Sequence, residues 1–149
     1  MTKHPFVPVD FEVPAGLETE QFRLRMLTVH DVDKDYEAVM ETRERLSAFS
    51  GYWPREGFTI EENLADLQRH QREHLERIQF TYTVVAPDES RVLGCLYIQP
   101  DKKGKADARV YMWVRESEYQ KGLDPVLFET VKDWLGSDWP FKMVVYPGR

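Results

Sequence analysis

The sequence predicts an α/β (α+β) fold: a mixed, mostly antiparallel sheet flanked by helices, in the order β-α-α-β-β-β-α-β. Three observations carry this. Apolar residues alternate with polar ones in F-R-L-R-M-L and again in the stretches after Gln79, which is the period of a half-buried strand. Between and beyond these stretches the apolar period lengthens to that of a helix. The last helical stretch lies between two strand-like ones, a single β-α-β crossover attached to an antiparallel meander.

Each element has its own justification. Residues 1–20 carry Pro5, Pro8 and Pro14 among Phe6, Val7, Val9, Phe11 and Val13. Proline fixes φ and removes donors, so this is an extended arm lying along the body, and residues 21–149 form the domain. Phe22 to Leu27 is the first strand. Thr28, with Asp31 three residues on, opens a helix with Val32, Tyr36, Val39, Met40 and Leu46 on one side, running to about Ala48. Thr59 with Glu62 is a capping box. It opens a second helix, to about Gln79, with Ile60, Leu64, Leu67, Gln71, Leu75 and Ile78 in a narrow arc. Then F-T-Y-T-V-V-A, R-V-L-G-C-L-Y-I-Q and A-R-V-Y-M-W-V follow as strands separated by turns. Val126, Leu127, Val131, Trp134 and Leu135 mark the third helix, which G-S-D-W-P breaks, and F-K-M-V-V-Y is the last strand.

Bulk properties exclude several classes. A chain of 149 residues can bury a sizeable core, and 42% hydrophobic with 31% charged residues is ordinary for a globular protein. The net charge of -6 argues against nucleic acid as a partner, because such binding needs a basic face. No stretch approaches the roughly 20 apolar residues of a membrane span, and the start of the sequence lacks the apolar core of a secretion signal. A single cysteine, Cys95, sits in an apolar strand and reads as a small buried residue. The expected location is the cytoplasm.

Two local features invite chemistry. H-Q-R-E-H, from His70 to His74, matches the H-x-x-E-H zinc-peptidase pattern with Glu73 as base. On the helical wheel both histidines flank the apolar arc and no third ligand follows, so the stretch is expected to be a solvated helix flank and no metal is expected. The loop F-S-G-Y-W-P-R-E-G-F holds Tyr52, Trp53 and Phe58, which either plug the core edge or line a ligand site.

The order of elements and three stretches, F-R-L-R-M-L-T-V-H-D-V-D, V-L-G-C-L-Y-I and V-R-E-S-E-Y-Q-K-G-L-D, resemble the GNAT superfamily of acyl-CoA-dependent N-acetyltransferases. The first is similar to the branch that acetylates ribosomal-protein N-termini. The third is similar to the family's V-x-P-x-x-R/Q-x-x-G-x-G/A pyrophosphate loop. Val114 and Gly122 match it, Lys121 fits a position that is often basic, and Leu123 fits the apolar one. Glu116 replaces the proline, Tyr119 the Arg or Gln, and Asp124 the final small residue.

The resemblance implies acetyl-CoA as co-substrate. Its pyrophosphate would lie on Tyr119, Gln120, Lys121, Gly122, Leu123 and Asp124, and its pantetheine arm on the backbone of Met112 and Val114 by strand addition. An amine acceptor would be bordered by Tyr52, Trp53 and Phe58. Transfer would be direct, with Glu116 as base and Tyr146 as acid. Asp124 followed by Pro125 also makes a good N-cap and N1 pair, which would take the N–H groups a phosphate needs. The family continues past this point with a further helix and two strands carrying the usual acid. The sequence given stops at Arg149, so the usual acid and part of the acceptor wall are expected to be missing unless a second subunit or the N-terminal arm fills the gap. Two readings stay open: an acyltransferase, or a GNAT-derived binding or interaction module without catalysis. A homodimer paired through the last strand is compatible with either.

Overall fold

The computed structural model describes residues 5–149. The part of the expected arm before Pro5 lies outside them. Six strands form one sheet in the spatial order β1-β2-β3-β4-β5-β6: β1 (Gly16–Glu18), β2 (Arg23–Met26), β3 (Phe80–Val85), β4 (Val92–Gln99), β5 (Ala108–Val114) and β6 (Val144–Val145). All neighbours are antiparallel except β5 and β6, which run parallel. The helices are α1 (Val32–Glu41), α2 (Arg43–Ser50), α3 (Ile60–Leu75), α4 (Glu116–Gln120) and α5 (Leu123–Asp138). The sheet is therefore mixed and mostly antiparallel, as the sequence predicts, with three additions.

The first addition is β1, which pairs with β2 inside the stretch expected to be an arm. Val7 is buried in the core, and Phe6 stacks on Phe80 and Phe141, so proline-rich residues 5–14 still contribute apolar surface. Secondly, the first helix breaks at Thr42, which leaves the helical conformation (φ -109°, ψ 8°) while its hydroxyl donates to Ala38 O (2.7 Å), and α2 starts at the next residue. Back-bonding of this kind bends helices. Thirdly, residues 116–120, expected as loop, form α4.

Strand β3 is buried along its whole length because helices cover both faces. Phe80, Tyr82 and Val84 face α5, whose Leu127, Val131, Trp134 and Leu135 are inward at the spacing of one helix face. Each such side chain contributes roughly 1.5–3 kcal/mol on burial. Cys95, Trp113, Val85 and Val92 face the other way, against Val39, Leu46, Phe58 and Leu67 from α1, α2, α3 and the aromatic loop. Gly94 is required on β4: a Cβ there would lie 2.1 Å from Trp113 O.

The expected inward stripe of α3 is corrected. Leu75 and Ile78 are exposed, whereas Asn63, Leu67 and His74 are buried. The helix ends at Leu75 and Arg77 turns left-handed (φ 62°), so the stripe's last members fall off the packed face. The inward positions go to polar residues that find partners. His74 Nδ1 accepts from Thr81 N–H (3.1 Å), and Asn63 donates to Asp35 Oδ2 (2.9 Å).

Candidate functional site: the open edge of β5

β6 has only two residues, and they pair with Ala108 and Arg109 at the start of β5. From Val110 to Val114, β5 has β4 on one side and, among the described residues, no strand on the other. Arg115 N–H donates to Leu93 O (2.7 Å) on the β4 side. Backbone groups alternate along a strand, so Met112 and Val114 turn theirs to the open side. Met112 O confirms the direction, since it accepts from Arg149 (3.2 Å) across the gap. The Asp107 carboxylate fixes where β6 starts, accepting from the N–H of Lys142 (2.6 Å) and Met143 (2.9 Å). The result is a cleft between diverging β5 and β6, at the end of which α5 begins.

The segment leading into α5 is held by a network that no sequence pattern reveals. Arg115 is 3% exposed and donates to Glu37 Oε1 (2.9 Å), Glu41 Oε1 (2.8 Å) and Val92 O (3.0 Å). Glu41 Oε2 accepts from the Ser117 N–H (2.8 Å) and hydroxyl (2.9 Å), and Thr42 Oγ1 accepts from Glu116 N–H (3.0 Å). A carboxylate of α1 thus takes a first-turn N–H of α4. The Arg115 hydrogen bond, with those from Ser117, holds the Glu41 carboxyl down to about 2.

The expected pyrophosphate residues distribute as follows. Tyr119 is exposed on α4, with the Arg45 guanidinium 3.6 Å above its ring. Gln120 donates to Glu116 Oε2 (2.6 Å), and Lys121 ends α4 in solvent. Gly122 is left-handed (φ 89°) with open space where a Cβ would stand, and Leu123 is buried in the core. Asp124 is not an N-cap. Helix α5 starts two residues earlier than expected, with Gly122 at the cap position and no side-chain cap. The Asp124 carboxylate instead forms a two-point ion pair with Arg149, 3.0 Å at Oδ1.

The two acid–base candidates have different surroundings. Glu116 pairs with Arg45 (2.9 Å), which holds its carboxyl below the usual range. That leaves it little basicity. Tyr146, just past β6, packs edge-on against Phe128 (5.1 Å), and burial pushes its hydroxyl up, so it keeps its proton at neutral pH. Of the three loop aromatics, Phe58 is buried and Trp53 packs on it with its indole N–H on Asp66 (3.3 Å), while Tyr52 is 77% exposed. An open depression of about 550 Å3 beside α4 is lined by Glu41, Arg43, Glu44, Arg45 and Glu116, and by none of the three.

The H-x-x-E-H stretch is not a solvated flank. His74 is 8% exposed against Phe80 and Tyr82, and His70 Nδ1 lies 3.3 Å from Thr81 Oγ1. Burial lowers both imidazoles to about 4. Glu73 engages Arg69 (3.3 Å) and Gln79 (2.9 Å). Among the described residues no group of three His, Cys, Asp or Glu is placed to hold a metal ion. Cys95 is buried, and burial raises its thiol. None of the described helices is long and apolar enough to cross a membrane.

Family models and curated proteins give no match to this sequence. Solved structures do. The ribosomal-protein-S5-alanine acetyltransferase of Vibrio fischeri superposes with a TM-score of 0.65 at 21% identity, over 82% of this chain and 67% of that one. RimL, a ribosomal alpha-N-protein acetyltransferase in complex with coenzyme A, gives 0.56 at 21%, over 70% and 55%. The microcin C7 self-immunity acetyltransferase MccE, in complex with acetyl-CoA and AMP, gives 0.65 at 12%, over 84% and 69%.

The fold is that of the GNAT acetyltransferases. At these identities the likeness is one of fold, and the chain spans about half to two thirds of the length of the first two. Among the described residues, the β6 side of β5 from Val110 to Val114 has no strand paired to it, and α5 starts with no side-chain cap.

Proposed function

We propose that this chain binds an acyl-CoA along the open edge of β5 and transfers the acyl group directly to an amine. One observation carries the reading: among the described residues, no strand pairs with Val110 to Val114 on the β6 side, and Met112 O is on that side. An extended amide chain such as pantetheine can add there as a further strand, on backbone groups of Met112 and Val114. The diphosphate would then lie toward Lys121, Gly122 and the uncapped start of α5. The bound acyl-CoA supplies an activated thioester.

Within this reading Tyr146 is the acid for the departing thiolate, because it keeps its proton and lies at the cleft. Glu116 is tied to Arg45, so deprotonation of the amine falls to water or to a group not among the sequence candidates. The likeness to ribosomal-protein acetyltransferases makes a peptide α-amine the first acceptor to try. A cytoplasmic setting and a homodimer accord with this reading.

Two observations favour a second reading, a GNAT-fold binding module without turnover. Glu41 takes a first-turn N–H of α4, and Asp124 is a carboxylate where a phosphate would approach. Incubation with acetyl-CoA and a panel of peptide amines, followed by release of free thiol, separates the two. Turnover above the no-enzyme rate is expected. Binding of CoA without thiol release would favour the module, and absence of both would discard the cofactor.

A further inference from the structure

The cleft between β5 and β6 is spanned by residues of this same chain. Arg149 N–H donates to Tyr146 O (3.2 Å), closing a tight turn. Pro147 followed by Gly148 at φ 85° is what a type II turn requires. The turn is wedged: a Cβ on Gly148 would lie 2.5 Å from Phe49 Cε2 at the end of α2. From it the Arg149 side chain reaches three groups of the cleft. It pairs at two points with Asp124 on α5, it donates to Met112 O on β5 (3.2 Å), and its guanidinium carbon lies 5.1 Å from the centre of the Phe128 ring.

We propose that the turn Tyr146–Arg149 is an autoinhibitory latch: Arg149, anchored by Asp124, occupies the backbone carbonyl on the open edge of β5 and competes with the acyl carrier for it. This rests on the reading of that edge as the pantetheine site. The competition is specific in its chemistry. A guanidinium and a pantetheine amide N–H both need an acceptor, and although Met112 O has two lone pairs, the guanidinium seated on it stands where an added strand would have to run. The anchor also gives Asp124 a role other than capping. With Arg149 seated, the carboxylate is neutralised. When a ligand displaces Arg149, the carboxylate stands bare beside the start of α5 and opposes a diphosphate there. Both effects disfavour the bound state, so entry of the cofactor is coupled to release of the turn.

The test measures CoA affinity and backbone amide exchange over residues 110–114 in four proteins: wild type, Asp124→Asn, Asp124→Asn with Arg149→Ala, and Gly148→Ala. In the Asp124→Asn background there is no carboxylate left to be bared, so Arg149→Ala reports only the competition at Met112. CoA should bind about three- to tenfold more tightly on that change, as loss of a partly exposed hydrogen-bonded competitor implies, and amides along the edge should exchange faster. Gly148→Ala unseats the turn with no change of charge and should move both readouts the same way. Weaker binding on Arg149→Ala would make Arg149 a ligand of the diphosphate and overturn the latch. Equal binding throughout would overturn it while leaving the cofactor site standing. If none of the four binds CoA, the cofactor reading itself falls and the latch with it.

Discussion

Asp35 lies between α1 and α3, 4% exposed, with one hydrogen bond to its carboxylate, from Asn63 Nδ2 (2.9 Å). Burial raises its carboxyl to about 6, and the nearby Asp31 and Asp66 carboxylates push the same way. The perturbation is Asp35→Asn. A group whose folded value lies above its unfolded value of 3.8 stabilises the fold fully below pH 3.8, and that contribution is lost as pH rises through about 6. At pH 7 and above the ionised carboxylate therefore costs about 3 kcal/mol relative to the protonated one. Asparagine removes the charge but puts an amide where the protonated carboxyl would sit, a mismatch of one hydrogen-bonding group worth about 1 kcal/mol at any pH. The net gain is about 2 kcal/mol at pH 7.5, or roughly 4–8 °C in Tm for a chain of this size. His70 and His74 titrate in an overlapping window with the opposite sign: their folded values are lowered to about 4, so their contribution is present above 6.5 and lost on acidification. Wild-type Tm alone mixes the two. The assay is therefore the difference in Tm between variant and wild type at pH 4.5, 6.0 and 7.5, from which the histidines cancel. The gain should be near zero at pH 4.5 and largest at 7.5. A difference independent of pH, or one that shrinks as pH rises, would refute the reasoning.

Three further outcomes follow from the same contacts. Gly94→Ala places a Cβ against Trp113 O on the neighbouring strand and should cost about 3 kcal/mol or more, seen as a lower denaturant midpoint or failure to fold. Arg115→Met should cost about 2 kcal/mol, since Glu37 and Glu41 lose a charged donor but retain contact with water, and chemical denaturation measures it. The same change frees the start of α4, so amide exchange at Ser117 should quicken. Tyr146→Phe should lower kcat about a hundredfold or more while the CoA dissociation constant stays within about twofold, checked by thiol release and by titration.

Much of the fold was legible because local signals agreed with it. The Thr59–Glu62 box opens α3 as expected, with Glu62 N–H donating to Thr59 Oγ1 (3.2 Å), and of the expected α5 stripe Leu127, Val131, Trp134 and Leu135 pack inward while Val126 is exposed. The strands expected at β2 and at β3 to β5 all form, with β3 buried on both faces and a register irregularity at Val84 and Val85. What the sequence withheld depends on partners far along the chain. The two polar inward positions of α3, Asn63 and His74, are buried only because Asp35 and Thr81 meet them. A wheel assigns such residues to solvent. Arg115 owes its burial to Glu37 and Glu41, more than seventy residues away, and no spacing marks that. Asp124 looked like a cap because Pro125 follows it, while its actual partner is Arg149. One miss had a local signal: E-S-E-Y-Q has acidic residues in its first turn and strong helix formers, which is enough for the short helix α4.

The central claim is that the open edge of β5 and the start of α5 hold a CoA. A thermal melt of the protein with millimolar CoA, with adenosine and pantetheine alone as controls, tests it most directly. At about 100 times its dissociation constant, CoA should add roughly 2.7 kcal/mol, a rise of roughly 5–10 °C, with smaller shifts from either half. A folded protein whose Tm does not move with CoA at any concentration would contradict the account.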